Sequence, residues 1–167
     1  MELALDVGCG HKLDVNRVRD FKWVGLDKYD FSHLYLEGQF VQHDLKDPLP
    51  YPDRSVGMIW CHHVLEHLPP RHPTIDIDYV VWVINEFHRV LKTDAQCHLI
   101  VPWREHKNSW ADPAHYRHFA LETFHWFVAT NLDASRASTG VCGQWHKMQN
   151  VIMDECHVYA ILTPIKP

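Results

Sequence analysis

FVQHDLKDPLPYPDRSVGMIWCHHVLEHL, residues Phe40–Leu68, alternates apolar runs with polar ones, and that alternation decides the fold class. Its first run, taken as Gln39–Asp44, has the length and composition of a strand and closes on an acid. PLPYPDRS then breaks the chain with prolines and turn formers. VGMIWC (Val56–Cys61) is a second strand, and CHHVLEHL (Cys61–Leu68) leaves its carboxyl end. Read from His63, that exit spells H-x-x-E-H, in which two histidines on one helical face can reach a zinc ion beside a glutamate base. Such a site needs a third ligand and a helix long enough to hold the pair. Pro69 and Pro70 end any helix here after little more than one turn. No metal ligand is therefore assigned. The stretch is expected to be a strand end and a short helix, with His67 bracing the fold.

The same alternation extends in both directions. LALDV (Leu3–Val7) reads as a buried strand ending at a glycine-containing turn, and KWVGLD (Lys22–Asp27) as a strand ending in an acid. A helix is expected from Thr74 or Asp76 to Leu91, because Ile77, Val80, Val81, Ile84, Phe87 and Leu91 share one face. CHLIVP (Cys97–Pro102) is a fifth strand. Strands alternating with helices predict an α/β fold with a parallel sheet wrapped by helices. Beyond Pro102 the pattern changes to the polar, aromatic WREHKNSWADPAHYRHF (Trp103–Phe119), followed by a helix expected over Leu121–Thr130. Apolar stretches at Val151–Met153 and His157–Leu162 predict a closing antiparallel pair, and Asp133–Gly143, rich in Ser, Ala and Gly, a mobile loop.

At 167 residues the chain fits a single domain, 1–167, with 46% apolar and 22% charged residues, the balance of an ordinary soluble globule. A net charge of −5 argues against a nucleic-acid surface, which usually carries a basic excess. Five cysteines without a C-x-x-C pair suit a reduced, cytoplasmic protein, and no apolar run approaches a membrane span. The fifteen histidines are scattered from His11 to His157 rather than grouped as a ligand set.

Ligands of open α/β sheets bind outside the carboxyl ends of the strands, where this chain carries DVGCG, GLD, HDL and CHHVLEH. Gly8 and Gly10 allow a tight turn with amides directed at a ligand. Asp27 ends its strand where a carboxylate can accept both ribose hydroxyls. Asp44 can accept from an exocyclic amine, with Leu45 packing on a base. Taken singly, a G-x-G or a strand-ending Asp is more often a turn former; four such ends in order describe a pocket for an adenosine-containing ligand.

These blocks resemble the class I S-adenosylmethionine-dependent methyltransferases of the small-molecule, type 11 branch. LALDVGCG is similar to their first motif, WVGLDKYD to their acidic second motif, and Phe40–Leu68 to their third and fourth combined. INEFHRVLKTDAQCHLIVP resembles the helix and strand that follow, so the likeness runs from about Leu3 to Pro102. It implies a Rossmann-like three-layer sandwich with a seven-stranded, mostly parallel sheet and a C-terminal antiparallel hairpin. It also implies S-adenosylmethionine as cofactor, with S-adenosylhomocysteine as product. Gly8, Cys9 and Gly10 would line the methionine portion, Asp27 the ribose, Asp44 and Leu45 the adenine, and Cys61, His62 and His63 the methyl-donor centre. Asp6 and Lys28 complete the cofactor-binding set.

His63 is the expected general base, with His115 as a second catalytic candidate in DPAHYRHF, beside Arg117 and His118. Residues 103–143 are expected to form an acceptor-site insertion and mobile loop. The acceptor is expected to be a small molecule offering O or N, with a homo-oligomer possible and neither membrane nor nucleic acid as partner. The chain departs from the family pattern at Lys12, Gly57 and Thr93-Asp94-Ala95. It begins almost at the first strand, which implies a cleft that is open or completed by a partner subunit. The alternative function is a non-catalytic S-adenosylmethionine sensor or partner subunit. A nicotinamide dehydrogenase would want glycine at Leu13, and no P-loop signature occurs.

Overall fold

The computed structural model describes residues 1–12, 20–128 and 138–166, the side chains of 147–153 excepted. Seven strands form one sheet: β1 (Glu2–Val7), β2 (Phe21–Asp27), β3 (Phe40–Gln42), β4 (Val56–His62), β5 (Leu91–Pro102), β6 (Gln144–Met153) and β7 (His157–Ile165). Their order is β3-β2-β1-β4-β5-β7-β6. The first five run parallel; β7 is antiparallel to β5, and β6 to β7. The strand order therefore reverses between β1 and β4, opening a crevice at their carboxyl ends.

Alternation along the strands divides the core. Leu5 and Val7 of β1, Val24 and Leu26 of β2, and Ile59 and Cys61 of β4 face the main cluster, where helix α1 (Tyr79–Val90) buries Val83, Ile84 and Phe87. Ala4, Trp23 and Met58 make a smaller cluster on the opposite face, with Phe21 and Trp60 packed against it. The turn-rich segment before β4 is clamped to α1 by a half-buried ion pair. Glu86 accepts from the Leu49 amide at 2.8 Å, while Arg89 donates to Glu86 and to the carbonyls of Leu49 and Tyr51. These bonds satisfy backbone groups that the prolines leave outside any regular ladder.

Several boundaries differ from the sequence expectation. Helix α1 starts at Tyr79 rather than Thr74 or Asp76, because Asp78 is its N-cap and accepts from the amides of Val80 and Val81. Asp76 sits in the preceding turn, paired with Arg71. Strand β3 ends at Gln42, which leaves His43 and Asp44 in the turn beyond it. β5 begins directly after α1, with a register irregularity opposite Val56 and Met58 and Asp94 in the left-handed region. The helix expected over Leu121–Thr130 is a 3-10 helix, Thr123–Phe127, whose three-residue repeat buries Phe124 and Phe127 together; Thr130 lies outside the described residues. Of the loop expected over Asp133–Gly143, residues 133–137 lie outside the described residues, and the end nearest β6 is held in place. Asn85 donates to Gly140 O at 2.7 Å and accepts from Cys142 N at 3.0 Å. No helix among the described residues is long and apolar enough to cross a membrane.

Candidate functional site

The turn after β1 is built from glycine for two reasons. Gly8 and Gly10 have φ of 72° and 57°, and a Cβ on Gly8 would stand 2.2 Å from Val64 Cγ2. Gly8→Ala should therefore cost about 1–3 kcal/mol of stability and push Val64 out of place. A urea unfolding curve with an unchanged midpoint would contradict this. The amides of Gly8 and Cys9 both donate to Leu26 O, tying the turn to β2.

Asp27, the last residue of β2, closes the same turn. Its Oδ2 accepts from Gly10 N at 3.0 Å and its Oδ1 from Tyr29 N at 3.0 Å. A carboxylate offers about four acceptor positions, so the two oxygens keep capacity for a ligand's hydroxyls while the amides hold them still. Tyr35 adds a bond from its hydroxyl to Gly10 O at 2.7 Å.

Beyond this turn lies a cleft of about 630 Å³, bordered by Gly8, Gly10, Asp27, Lys28, Leu45 and His63 among the residues expected from sequence. Tyr29, Phe31, His43, Val64, His67, Ala114 and Tyr116 complete much of its wall. Leu45 is held there by Trp82, whose indole donates to its carbonyl at 2.9 Å. The other residues expected to bind the cofactor do not border the cleft. Asp6 is buried within β1 and Cys61 is packed in the main core, where burial pushes its thiol up. Burial likewise pushes the Cys9 thiol up to about 11, against a hydrogen bond from Tyr35, so it stays protonated at neutral pH. Asp44 turns toward Lys46 and Tyr79, at 2.9 and 3.4 Å. Burial alone would raise its carboxyl, but the Lys46 amide and ammonium outweigh that and leave it below the usual carboxylate range.

At the end of β4 the backbone of His63 is left-handed, with φ of 55°, a conformation that costs a non-glycine residue about 1–2 kcal/mol and turns the chain sharply into a 3-10 helix, Leu65–His67. That turn brings Glu66 back onto His63: Nδ1 lies 2.8 Å from Oε1 of a carboxylate with no exposed surface. With Glu66 accepting, Nδ1 carries the proton and Nε2 is the basic nitrogen. The zinc-protease reading had Glu66 beside two ligand histidines; the fold makes it the partner of one. The His62 ring lies tilted against that of His63, centroids 4.4 Å apart.

Of the DPAHYRHF segment, Asp112 to Tyr116 border the site's cavities. Tyr116 lines the cleft, and its amide donates to Glu66 O at 2.8 Å. His115 borders a neighbouring cavity of about 470 Å³ shared with His63, Pro102, Asp112 and Pro113. Arg117 is structural: it donates to the carbonyls of Leu68 and Pro69 and pairs with the helix-capping Asp78 at 2.9 Å. His118 bonds Ser109 Oγ and stacks on Trp110. Tyr29, Phe31 and Tyr35 were not assigned from sequence, where their one signal is a cluster of aromatic residues soon after Asp27.

Comparison with known proteins gives this geometry a context. The family described as "Methyltransferase domain" matches residues 5–99, more than half of the chain. No curated protein matches by sequence. Among solved structures, YcgJ of Bacillus subtilis is similar at 18% identity and a TM-score of 0.62, covering 99% of this chain and 92% of its own. A SAM-dependent methyltransferase from Archaeoglobus fulgidus is similar at 14% identity and a TM-score of 0.65, covering 98% and 86%. Phosphoethanolamine N-methyltransferase 1 of Haemonchus contortus, solved with phosphoethanolamine and S-adenosylhomocysteine, is 14% identical with a TM-score of 0.70. It covers 99% of this chain and 39% of its own.

Proposed function

This chain belongs to the class I S-adenosylmethionine-dependent methyltransferases of the type 11 branch, and we propose that it moves the methyl group onto an O or N atom of a small-molecule acceptor. The observation that carries this reading is the presence of two devices at one cleft. Asp27, with two amides fixing its oxygens, and His63, paired with Glu66, both border it. The cleft suits the cofactor: a carboxylate for a ribose diol, a glycine turn for close backbone approach, and apolar Leu26, Leu45 and Val64 for flat or aliphatic parts.

When bound, S-adenosylmethionine supplies an electrophilic methyl on a sulfonium, whose sulfur leaves as a neutral thioether. The chain's own work is to align the acceptor and remove its proton. His63 Nε2 takes the proton of an acceptor O–H or N–H as the heteroatom's electron pair becomes the new bond to carbon. Glu66 holds the imidazole in that tautomer and stabilises the imidazolium, the arrangement familiar from carboxylate–histidine pairs in acyl-transfer enzymes. Residues 103–128 form the acceptor side, because Ala114 and Tyr116 border the cleft and His115 the adjoining cavity. Among solved neighbours, a methyltransferase whose acceptor is an amine adds support for N as one accepting atom.

The test is thermal. At a hundredfold excess over its dissociation constant, S-adenosylmethionine or S-adenosylhomocysteine should raise Tm by about 5–10 °C. An acceptor panel followed by mass spectrometry should then find a product heavier by one methylene. Absence of any shift with both ligands would refute the reading.

A further inference from the structure

The H-x-x-E-H stretch fails as a zinc motif in sequence because Pro69 and Pro70 leave no helix to pair His63 with His67, but the fold brings His115 to Glu66 and His67 instead. Glu66, His67 and His115 each place a ligand atom so that all three lie within 4.8 Å of one another. Their supports are those of a prepared site. His67 Nδ1 donates to Ala114 O at 3.2 Å, and His115 Nδ1 to Ser109 O at 3.0 Å. A carbonyl only accepts, so both rings carry their proton on Nδ1 and leave Nε2 with a lone pair. This is the outer-sphere arrangement that orients metal-binding histidines. The two rings meet edge to face at 4.8 Å. Glu66 has no exposed surface, and its Oε2 has no hydrogen-bond partner among the described residues. A buried carboxylate oxygen without a partner is costly, and a cation beside it removes the cost. The Asp112 carboxylate stands 3.8 Å from His115 Nε2, beyond hydrogen-bonding distance, and adds negative charge nearby.

We propose that Glu66, His67 and His115 bind one divalent first-row metal ion of the zinc class. Two imidazoles and one carboxylate are the donor set of three-ligand zinc sites that keep a position open. Zinc bonds of about 2.0–2.2 Å set tetrahedral ligand atoms about 3.3–3.6 Å apart, a spacing compatible with three atoms lying within 4.8 Å of one another. His67 lines the cleft and His115 the adjoining cavity, so an ion held by both would stand beside these two spaces. An acceptor carrying an oxygen donor fits there, held next to His63; this last role rests on the methyl-transfer reading, whereas the ion site does not.

Chelator-dialysed protein titrated with Zn²⁺, and separately with Co²⁺ monitored by its visible absorption, decides the matter. The wild type should bind one equivalent per chain, with a rise in Tm. His67→Gln and His115→Gln retain a donor for the Ala114 and Ser109 carbonyls, so the apo fold should keep its Tm. Each should weaken binding by about 100-fold or more, beyond the 10–100-fold typical of supporting residues. Glu66→Gln should do the same. A wild type that binds neither ion, or a His115→Gln protein that binds as tightly as wild type, overturns the site. Because the readout is metal stoichiometry, it is separate from the cofactor's thermal shift: either can fail while the other stands.

Discussion

Replacing Asp27 by alanine is expected to weaken S-adenosylmethionine binding by about 100- to 1000-fold, from loss of two charge-assisted hydrogen bonds at about 1.5–3 kcal/mol each, less what water recovers. The same carboxylate also holds the turn, since Gly10 N and Tyr29 N both donate to it. Alanine would free those amides, and the glycine turn would lose its anchor to β2 on one side. The remaining bonds, from Gly8 and Cys9 to Leu26 O, keep the turn attached. A stable apo protein with an impaired cleft is therefore the expected state. Calorimetric titration with S-adenosylhomocysteine reads the affinity, and the apo Tm reads the fold. Asp27→Asn should fall between wild type and alanine, because its single carbonyl oxygen still accepts. Undiminished affinity in Asp27→Ala would remove the ribose assignment and, with it, the placement of the cofactor in this cleft.

His63→Ala is expected to lower kcat by about 10²- to 10⁴-fold, the usual worth of a positioned general base, while S-adenosylmethionine affinity changes little. The expectation separates chemistry from binding because Asp27 and the glycine turn hold their places through bonds that do not involve the His63 side chain. It is the His63 imidazole whose Nδ1 meets the Glu66 carboxylate at 2.8 Å. The base serves an acceptor that must lose a proton in the step. An acceptor amine already free of its proton would lose much less rate in the variant, so comparing a hydroxyl with an amine acceptor reports what the imidazole does. Equal turnover by wild type and variant on a hydroxyl acceptor would dismiss His63 as the base.

Much of the architecture was legible from residue order. The strand cores Leu3–Val7, Lys22–Asp27, Val56–Cys61 and Cys97–Pro102 all lie in observed strands, and the closing pair is antiparallel. Apolar runs bounded by turn formers report burial locally, which is why they read well. Boundaries read less well where a side chain rather than a pattern set them. Asp78 caps α1, although Asp76 and Thr74 have equal claim by residue type. The helix over Leu121–Thr130 shortened to a 3-10 helix because Phe124 and Phe127 bury together at a three-residue spacing. Half of the cofactor set was legible as cleft residues. Cys61, Asp6 and Asp44 were not separable from it in sequence, because adjacent strand residues point to opposite faces and a turn residue's direction depends on its partners.

CHHVLEHL shows where the division falls. By itself the sequence determined that this stretch leaves a buried strand, is cut short by Pro69 and Pro70, and lies at the same sheet edge as Gly8, Gly10 and Asp27. Those conclusions rest on periodicity, turn chemistry and motif order, all of which are local or topological. Only the tertiary structure decided what each of its polar residues does. A left-handed His63 folds Glu66 back against its own imidazole, and Trp103–Phe119 returns across the edge to dock Tyr116 N on Glu66 O. That docking brings His115 to His67 across 48 residues of chain. The pairing depends on long-range packing, and no spacing within the sequence encodes it.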